Sequence, residues 1–419
     1  MTLSARRVRA SGGGGSRAAA GQVADPVAAG PSARAGTDRL LAPAFGLVCL
    51  YALVTMLAWS ALFPVLPLYV RGPLEGGDFA VGVVMSGALL AAALVQPVLG
   101  RFADRRGRRL LLVGGPILFA SAVAMFPLAE SQAALFGLRA AAGLGDAAFM
   151  VGAVTLVSDI APEGRRGEAY SIFSLAIWAG MGLGPVVGDF VLRAADFDTV
   201  WLVCAGFSIA GAVTALFLPE TRAASSPSRS GLSFFNRHAA IPGVVLILEM
   251  IGFSAFLVYT PLYARELGMQ GAGLVLLVNA TVLVLMRVFG RRLPDRLGAR
   301  GAASAGLLFA VLGLAIPATF ALPVALYIGA ASFGVGHALL YPALFMLAVD
   351  RAPASERSAA LGSLKACEAI GFAVGASTLG LVASLAGYGG AFAIAAVATL
   401  AGLAPLWLLR QRRRSPELV

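Results

Sequence analysis

Residues 79–129 read FAVGVVMSGALLAAALVQPVLG, then RFADRRGR, then RLLLVGGPILFASAVAMFPLA. Two apolar runs of roughly 20 residues flank one short basic segment. That length crosses a hydrocarbon layer of ~30 Å as an α-helix. A backbone in lipid must satisfy its own N–H and C=O groups, which a helix does without help. Arg101, Arg105, Arg106, Arg108 and Arg109 crowd into the segment between the runs and mark one membrane face. The unit is therefore a transmembrane helix, a tight basic turn and a second transmembrane helix.

The same unit recurs along the chain. Apolar segments fall at about 44–70, 79–100, 109–129, 132–158, 165–192 and 199–218, and again at 241–264, 271–290, 301–320, 323–349, 357–385 and 390–409. They are too long, and alternate too little, for strands of a membrane barrel. The chain is 59% hydrophobic and 13% charged, too little polar surface to cover a soluble core of this size. The expected fold is an all-α membrane protein with twelve transmembrane helices.

Arginine placement predicts the orientation. Arg71, Arg193 and Arg265 fall in loops on one side. The loop clusters at 101–109, 165–166, 291–300 and 351–357, together with the arginines of both chain ends, fall on the other. The positive-inside rule puts that second side, and both termini, in the cytoplasm. The protein is expected to be multi-pass in the inner membrane. The net charge of +11 thus reads as a topology signal, and nucleic acid is not an expected partner.

Residues 1–40, rich in Gly, Ala, Ser and Arg, read as a disordered cytoplasmic tail. A six-helix bundle is expected over 41–219, a cytoplasmic linker over 220–240, a second bundle over 241–410 and a basic tail over 411–419. Adding 191 carries Asp104 to Asp295, Gly107 to Gly298, Gly143 to Gly334, Gly145 to Gly336, Asp159 to Asp350, Pro162 to Pro353, Arg166 to Arg357, Gly180 to Gly371 and Gly184 to Gly375. Pro67-Leu68-Tyr69 is echoed by Pro261-Leu262-Tyr263. Six helices followed by six more in the same orientation are two parallel repeats, with a substrate site expected between them near the midplane.

Several chemistries are excluded. Lys365 is the only lysine and no phosphate-binding Gly-rich loop precedes it. Cys49, Cys204 and Cys367 lie inside apolar runs, and with two histidines they form no metal-ligand spacing. No cofactor, metal or clustered catalytic set is expected, so the chain does not read as an enzyme.

The basic loop holds Gly100, Asp104, Arg105, Gly107 and Arg108. Gly100 would permit close helix approach and Gly107 a tight turn. This stretch resembles the signature loop of the major facilitator superfamily, which locks the two halves together on the cytoplasmic side. The resemblance implies that Asp104 meets the start of the eleventh span near Pro353 to Arg357, and that Arg108 reaches Asp159. In the second-half copy Arg291 replaces the glycine and Ala299 the last arginine. Leu135, Arg139, Gly143 and Gly145 resemble the family's buried-arginine motif, linked to proton movement. Gly180, Gly184, Pro185 and Gly188 resemble its antiporter motif, with Phe173 and Asp189 standing where that motif has glycine; Pro219-Glu220-Thr221-Arg222 also looks familial. The likeness spans about residues 44–410, is nearest the twelve-helix drug:proton antiporter branch, and implies a monomer.

Ionisable groups inside spans are costly and default to functional candidates. Arg139 and Asp146 share a face of the fourth span about 10 Å apart; either Asp146 titrates during transport or the two form a static ion pair. Lys365 and Glu368 can pair within one helix. Glu249 and His337 complete the proton-coupling candidates, and His337 holds the repeat position of Asp146. Arg287 reads as a snorkelling side chain. Trp59, Phe63, Trp178, Tyr259, Asn279, Tyr341 and Lys365 are the candidates to line a substrate cavity. Pro64, Pro67 and Pro261 would bend their helices. The expected function is secondary transport by alternating access, most simply proton-coupled efflux of a drug-like molecule or specialised metabolite. The alternative is transport of a polar or anionic metabolite such as a sugar, a siderophore or an organic acid. The partners are then the lipid bilayer, a small-molecule substrate and protons.

Overall fold

The computed structural model describes residues 43–162, 165–221, 236–290, 293–353 and 356–408. The expected tails at 1–40 and 411–419 and residues 222–235 of the linker lie outside the described residues, as do the side chains of Asp104 and Arg105. Every described element is helical. The first half holds α1 (Pro43–Ser60), α2 (Leu62–Arg71), α3 (Asp78–Arg106), α4 (Arg109–Ala124), α5 (Gln132–Ile160), α6 (Arg166–Ala194) and α7 (Phe197–Leu216). The second holds α8 (Ala240–Ser254), α9 (Thr260–Glu266), α10 (Gly273–Phe289), α11 (Leu293–Thr319), α12 (Pro323–Arg351), α13 (Arg357–Ala401) and α14 (Leu403–Leu408). Among the described residues, ten helical stretches are long and apolar enough to cross a membrane, and α10 is a shorter apolar helix. One of the ten, Ala359–Leu408, runs for 50 residues through a non-helical Gly387. That break falls between the expected spans 357–385 and 390–409.

Local chemistry sets the ends and breaks. Ser131 caps α5 by accepting the N–H of Ala134, and Asp196 caps α7 by accepting that of Thr199. The Thr199 N–H and hydroxyl hold the exposed Asp196 carboxyl below its ordinary range. Proline lacks an N–H, and its ring collides with the carbonyl four residues earlier. For Pro64 that carbonyl belongs to Ser60, and α1 ends there. For Pro261 it belongs to Leu257, inside the π-turn Ala255–Tyr259 that joins α8 to α9. Gly107 ends α3 at φ 88°, and its repeat mate Gly298 sits at φ 69° within α11. Both turns need the left-handed backbone that glycine adopts freely.

Packing repeats with the same offset. A Cβ at Gly145 would stand 2.6 Å from the carbonyl oxygen of Gly115 on α4, and one at Gly336 2.7 Å from that of Gly306 on α11. Gly180, Gly184 and Gly188 seat α6 on α1 and on Ala61, while Gly371 and Gly375 seat α13 on α8. In lipid, close backbone approach supplies much of the attraction between helices. The antiporter-like glycines are therefore a packing stripe inside the first half. Gly184→Val is expected to lower the thermal midpoint in detergent, because its branched side chain would meet the Ser60 hydroxyl and the backbone of Leu57 and Ala61; overpacking of this kind costs about 1–3 kcal/mol. Gly100 corrects an expectation: open space surrounds it, so it brings no helices together. The halves meet through α3 on α13, α6 on α10 and α2 on α9.

Candidate functional site

A cavity of about 330 Å³ lies between α1, α3, α5 and α6 of one half and α8, the π-turn, α10, α12 and α13 of the other. Its floor and walls are apolar and aromatic, from Trp59, Trp178 and Phe253 among others, with a few ionisable groups set among them.

Asp146 is the ionisable group that the first half contributes to the wall. Its Oδ1 is buried and has no hydrogen-bond partner. The static ion pair with Arg139 is not formed. Two helical turns separate the groups, ~10 Å along α5, and Arg139 points instead into the first half. There it is fully buried, 5.9 Å from the Trp59 ring centroid, with Nε and Nη1 unpartnered. Burying a charge without a full set of partners is costly, so this residue is held by the packing around it rather than stabilising it.

The second half supplies a connected polar cluster. Lys365 Nζ lies 2.9 Å from Glu368 Oε2 and donates to the Tyr341 hydroxyl at 2.6 Å, while Tyr341 donates to Glu368 at 2.8 Å. Helical spacing brings Lys365 and Glu368 together; only the packing of α12 on α13 adds Tyr341. His337 Nδ1 lies 2.8 Å from Glu249 Oε1, joining two groups that the sequence offered separately. His337 also stacks on Phe253 at 5.0 Å. Both members of this pair are buried, so removing one strands the other. Glu249→Ala is accordingly expected to destabilise the protein by about 3–5 kcal/mol, read as a lowered denaturation midpoint.

Arg287 corrects the snorkelling expectation. Its guanidinium turns inward to the cavity, donates to the Ser174 hydroxyl at 3.1 Å and lies 5.1 Å from the Trp178 ring centroid. Three expected cavity residues lie elsewhere. Phe63 is in the core, edge-on to Trp59 at 4.5 Å. Asn279 is turned onto α12, donating to the Ala330 carbonyl at 3.1 Å where Gly334 lets α10 approach. Tyr259 lies beyond the cavity and donates from its hydroxyl to the carbonyls of Asp78 and Ala376. Trp59, Trp178, Tyr341 and Lys365 do line the cavity, and Gln96, Ser174 and Arg287 join them.

At the end opposite the basic loop the halves are bonded together. Tyr388 donates to Asp78 Oδ1 at 3.0 Å, and Arg71 lies 3.5 Å from the same oxygen. Asp189 accepts the N–H of Gly273 at the start of α10. The contact is symmetric. A Cβ at Gly82 would overlap the Ala376 backbone, and one at Gly273 would overlap that of Pro185. The offset of 191 turns Gly82 into Gly273 and Pro185 into Ala376. Nothing in the sequence alone assigns either acid a functional role: Asp78 stands beside a span end and reads as a loop residue, and Asp189 is visible only as a departure from the antiporter-like motif. At the basic end Arg108 Nε is 3.0 Å from Asp159 Oδ2, an ion contact, and Thr221 donates to the same carboxylate at 2.6 Å. These three residues lie within the first half and bring the basic turn, the end of α5 and the segment after α7 together.

Comparison with known proteins gives the same architecture. The sequence profile of the Major Facilitator Superfamily matches residues 48–316 and 246–419. An uncharacterized MFS-type transporter of Salmonella typhimurium, STM4428, is 26% identical over 352 residues, 82% of this chain and 90% of that protein. The staphylopine export protein of Staphylococcus aureus is 26% identical over 343 residues, 75% of this chain and 85% of that one. Of solved structures, the nucleoside transporter NupG superposes with a TM-score of 0.71 at 16% identity, covering 88% of this chain and 99% of its own. The human organic anion transporter MFSD10 (TETRAN) does so with a TM-score of 0.65 at 19% identity, covering 87% and 100%. At such identities the solved structures speak for the fold alone. With its sequence profile matched across both halves, this chain belongs to the Major Facilitator Superfamily and is a multi-pass membrane transporter, not an enzyme.

Proposed function

We propose that the protein is a proton-coupled exporter working by alternating access, with its substrate bound in the cavity between the halves. The observation that carries this reading is Asp146, a carboxylate with a buried unpartnered oxygen in the wall of an otherwise apolar and aromatic cavity. Such a group gains by taking up either a proton or a cationic ligand group, and exchange of one for the other is antiport. The staphylopine exporter among the relatives supports the outward direction. On this reading the chain crosses the membrane twelve times, in two bundles over 41–219 and 241–410; the ten spans, the short helix α10 and the division of the long segment at Gly387 support this count. In our reading the basic loops and both termini are cytoplasmic, and the closed contact around Asp78 and Asp189 is the outer one. Protonation of Asp146 or Glu368 would bias the inward–outward equilibrium through differential affinity.

The test is a proteoliposome assay with an internal pH dye. Imposing a gradient of a cationic, amphipathic drug is expected to drive protons the opposite way. No proton movement with any of a drug panel, together with uptake that ignores the pH gradient, would sink the reading. One observation favours a second: Arg287 and Lys365 both reach the cavity, as a carrier of anionic metabolites requires. Proton movement with an organic acid and silence with drugs would select it.

A further inference from the structure

The charges of the cavity wall do not all cancel within the protein. Lys365, Glu368 and Tyr341 satisfy one another, and His337 is satisfied by Glu249. Two groups remain. Asp146 has a buried oxygen without a partner, and Arg287 a buried Nε without a partner, its guanidinium meeting the Ser174 hydroxyl and the face of Trp178. They carry opposite charge, both face the cavity, and they stand on opposite halves, on α5 and α10. They are not paired with each other.

A buried, half-satisfied cation and anion are each expensive. A ligand with one charge removes the cost at one wall only. A ligand carrying a cation and an anion removes both, and it ties one half to the other. Resting on the transporter reading above, we infer that the substrate is a zwitterion with an aromatic or apolar body, its ammonium on Asp146 and its carboxylate on Arg287. Arg suits this task because its planar fork matches a carboxylate. Trp59, Trp178 and Phe253 then hold the body between the two charged ends. The volume of about 330 Å³ sits at the small-molecule end of ligand pockets. The competition at Asp146 between proton and ligand ammonium follows without any further group.

The test uses the full chain in detergent, titrated calorimetrically at neutral pH with three probes on one skeleton. These are the dipeptide of phenylalanine and alanine, its C-terminal amide, which keeps only the cation, and its N-acetyl form, which keeps only the anion. The dipeptide is expected to bind at least about tenfold more tightly than either, since a charge-assisted hydrogen bond carries at least one decade of affinity. Asp146→Asn should reduce dipeptide affinity to that of the N-acetyl form, and Arg287→Gln to that of the amide, with Arg287→Lys intermediate. An amide or N-acetyl form binding as tightly as the dipeptide, or no binding of the dipeptide to the parent protein, overturns the proposal without recourse to any variant. The readout is equilibrium binding, so it is separable from proton coupling: loss of coupling in liposomes with the probe order intact would overturn only the exporter reading.

Discussion

Asp146→Asn is expected to abolish transport driven by a pH gradient while leaving the protein folded. The amide keeps the shape of the carboxyl but can neither gain nor lose a proton. If the exporter reading holds with Asp146 as the coupling group, the gradient then has no group to act on, and coupling is lost. Coupling free energies between sites run to ~1–3 kcal/mol, or roughly 5–150-fold in affinity, and the pH dependence of substrate affinity that this coupling supplies is expected to vanish in the variant. Stability should hold or rise slightly, since the carboxylate has a buried oxygen with no partner and neutralising an uncompensated buried charge removes a cost. Substrate counterflow, which needs no gradient, should persist at saturating substrate with weakened affinity. The check is paired: initial rates in proteoliposomes with and without a pH gradient, beside a thermal melt. Gradient-driven rates equal to those of the parent would remove Asp146 from the coupling mechanism.

Gly82→Val is expected to open the end that this structure holds shut. Its Cβ would overlap the carbonyl of Ala376, and that obstacle is backbone, with no flexible tip to swing aside. The contact is made between α3 and α13, one from each half. The clash therefore exists only in this arrangement of the halves and raises its free energy alone. Overpacking at ~1–3 kcal/mol would shift the population of the two states by roughly 5- to 150-fold. Gly184 is the contrast, because its tight neighbours Leu57, Ser60 and Ala61 belong to its own half and a side chain there is paid for in every state. A reporter can be placed at Leu257, which lines the cavity in the π-turn. In a background lacking Cys49, Cys204 and Cys367, a Leu257→Cys thiol should react several-fold faster with a membrane-impermeant maleimide added outside cells when Gly82→Val is also present. Equal labelling with and without the valine would show that Gly82 does not hold this end. Gly273, the repeat equivalent of Gly82, abuts Pro185 across the other seam and should behave in the same way.

Much of the molecule was written in its local sequence. Apolar runs long enough to span a bilayer gave the helices, because lipid leaves a backbone few other ways to satisfy itself. Pro64 and Pro261 announced the breaks, since a proline removes a donor wherever it stands. The offset between halves matched Gly107 to Gly298 and Gly180 to Gly371, and the structure gives the first pair the same turn and the second the same seat. The residues of the cavity were legible only in part. Trp59, Trp178, Asp146 and Lys365 could be nominated by type, but the rotation of each helix could not, because these helices are apolar on most of their circumference and lipid does not select a buried face by hydrophobicity. Phe63 and Asn279 consequently turned toward the protein's own packing, while Arg287 turned inward. Which buried charges found partners was also decided only in three dimensions. Glu249 and His337 lie far apart in the chain and meet across α8 and α12; Asp146 and Arg139 lie seven residues apart on one helix and do not. Sequence by itself determined the helices, their breaks and their repeat, because those depend on neighbours along the chain and on the solvent. Tertiary structure alone decided which charges are satisfied by each other and which stay without a partner, because that depends on the rotation of each helix and on which distant helices pack against it.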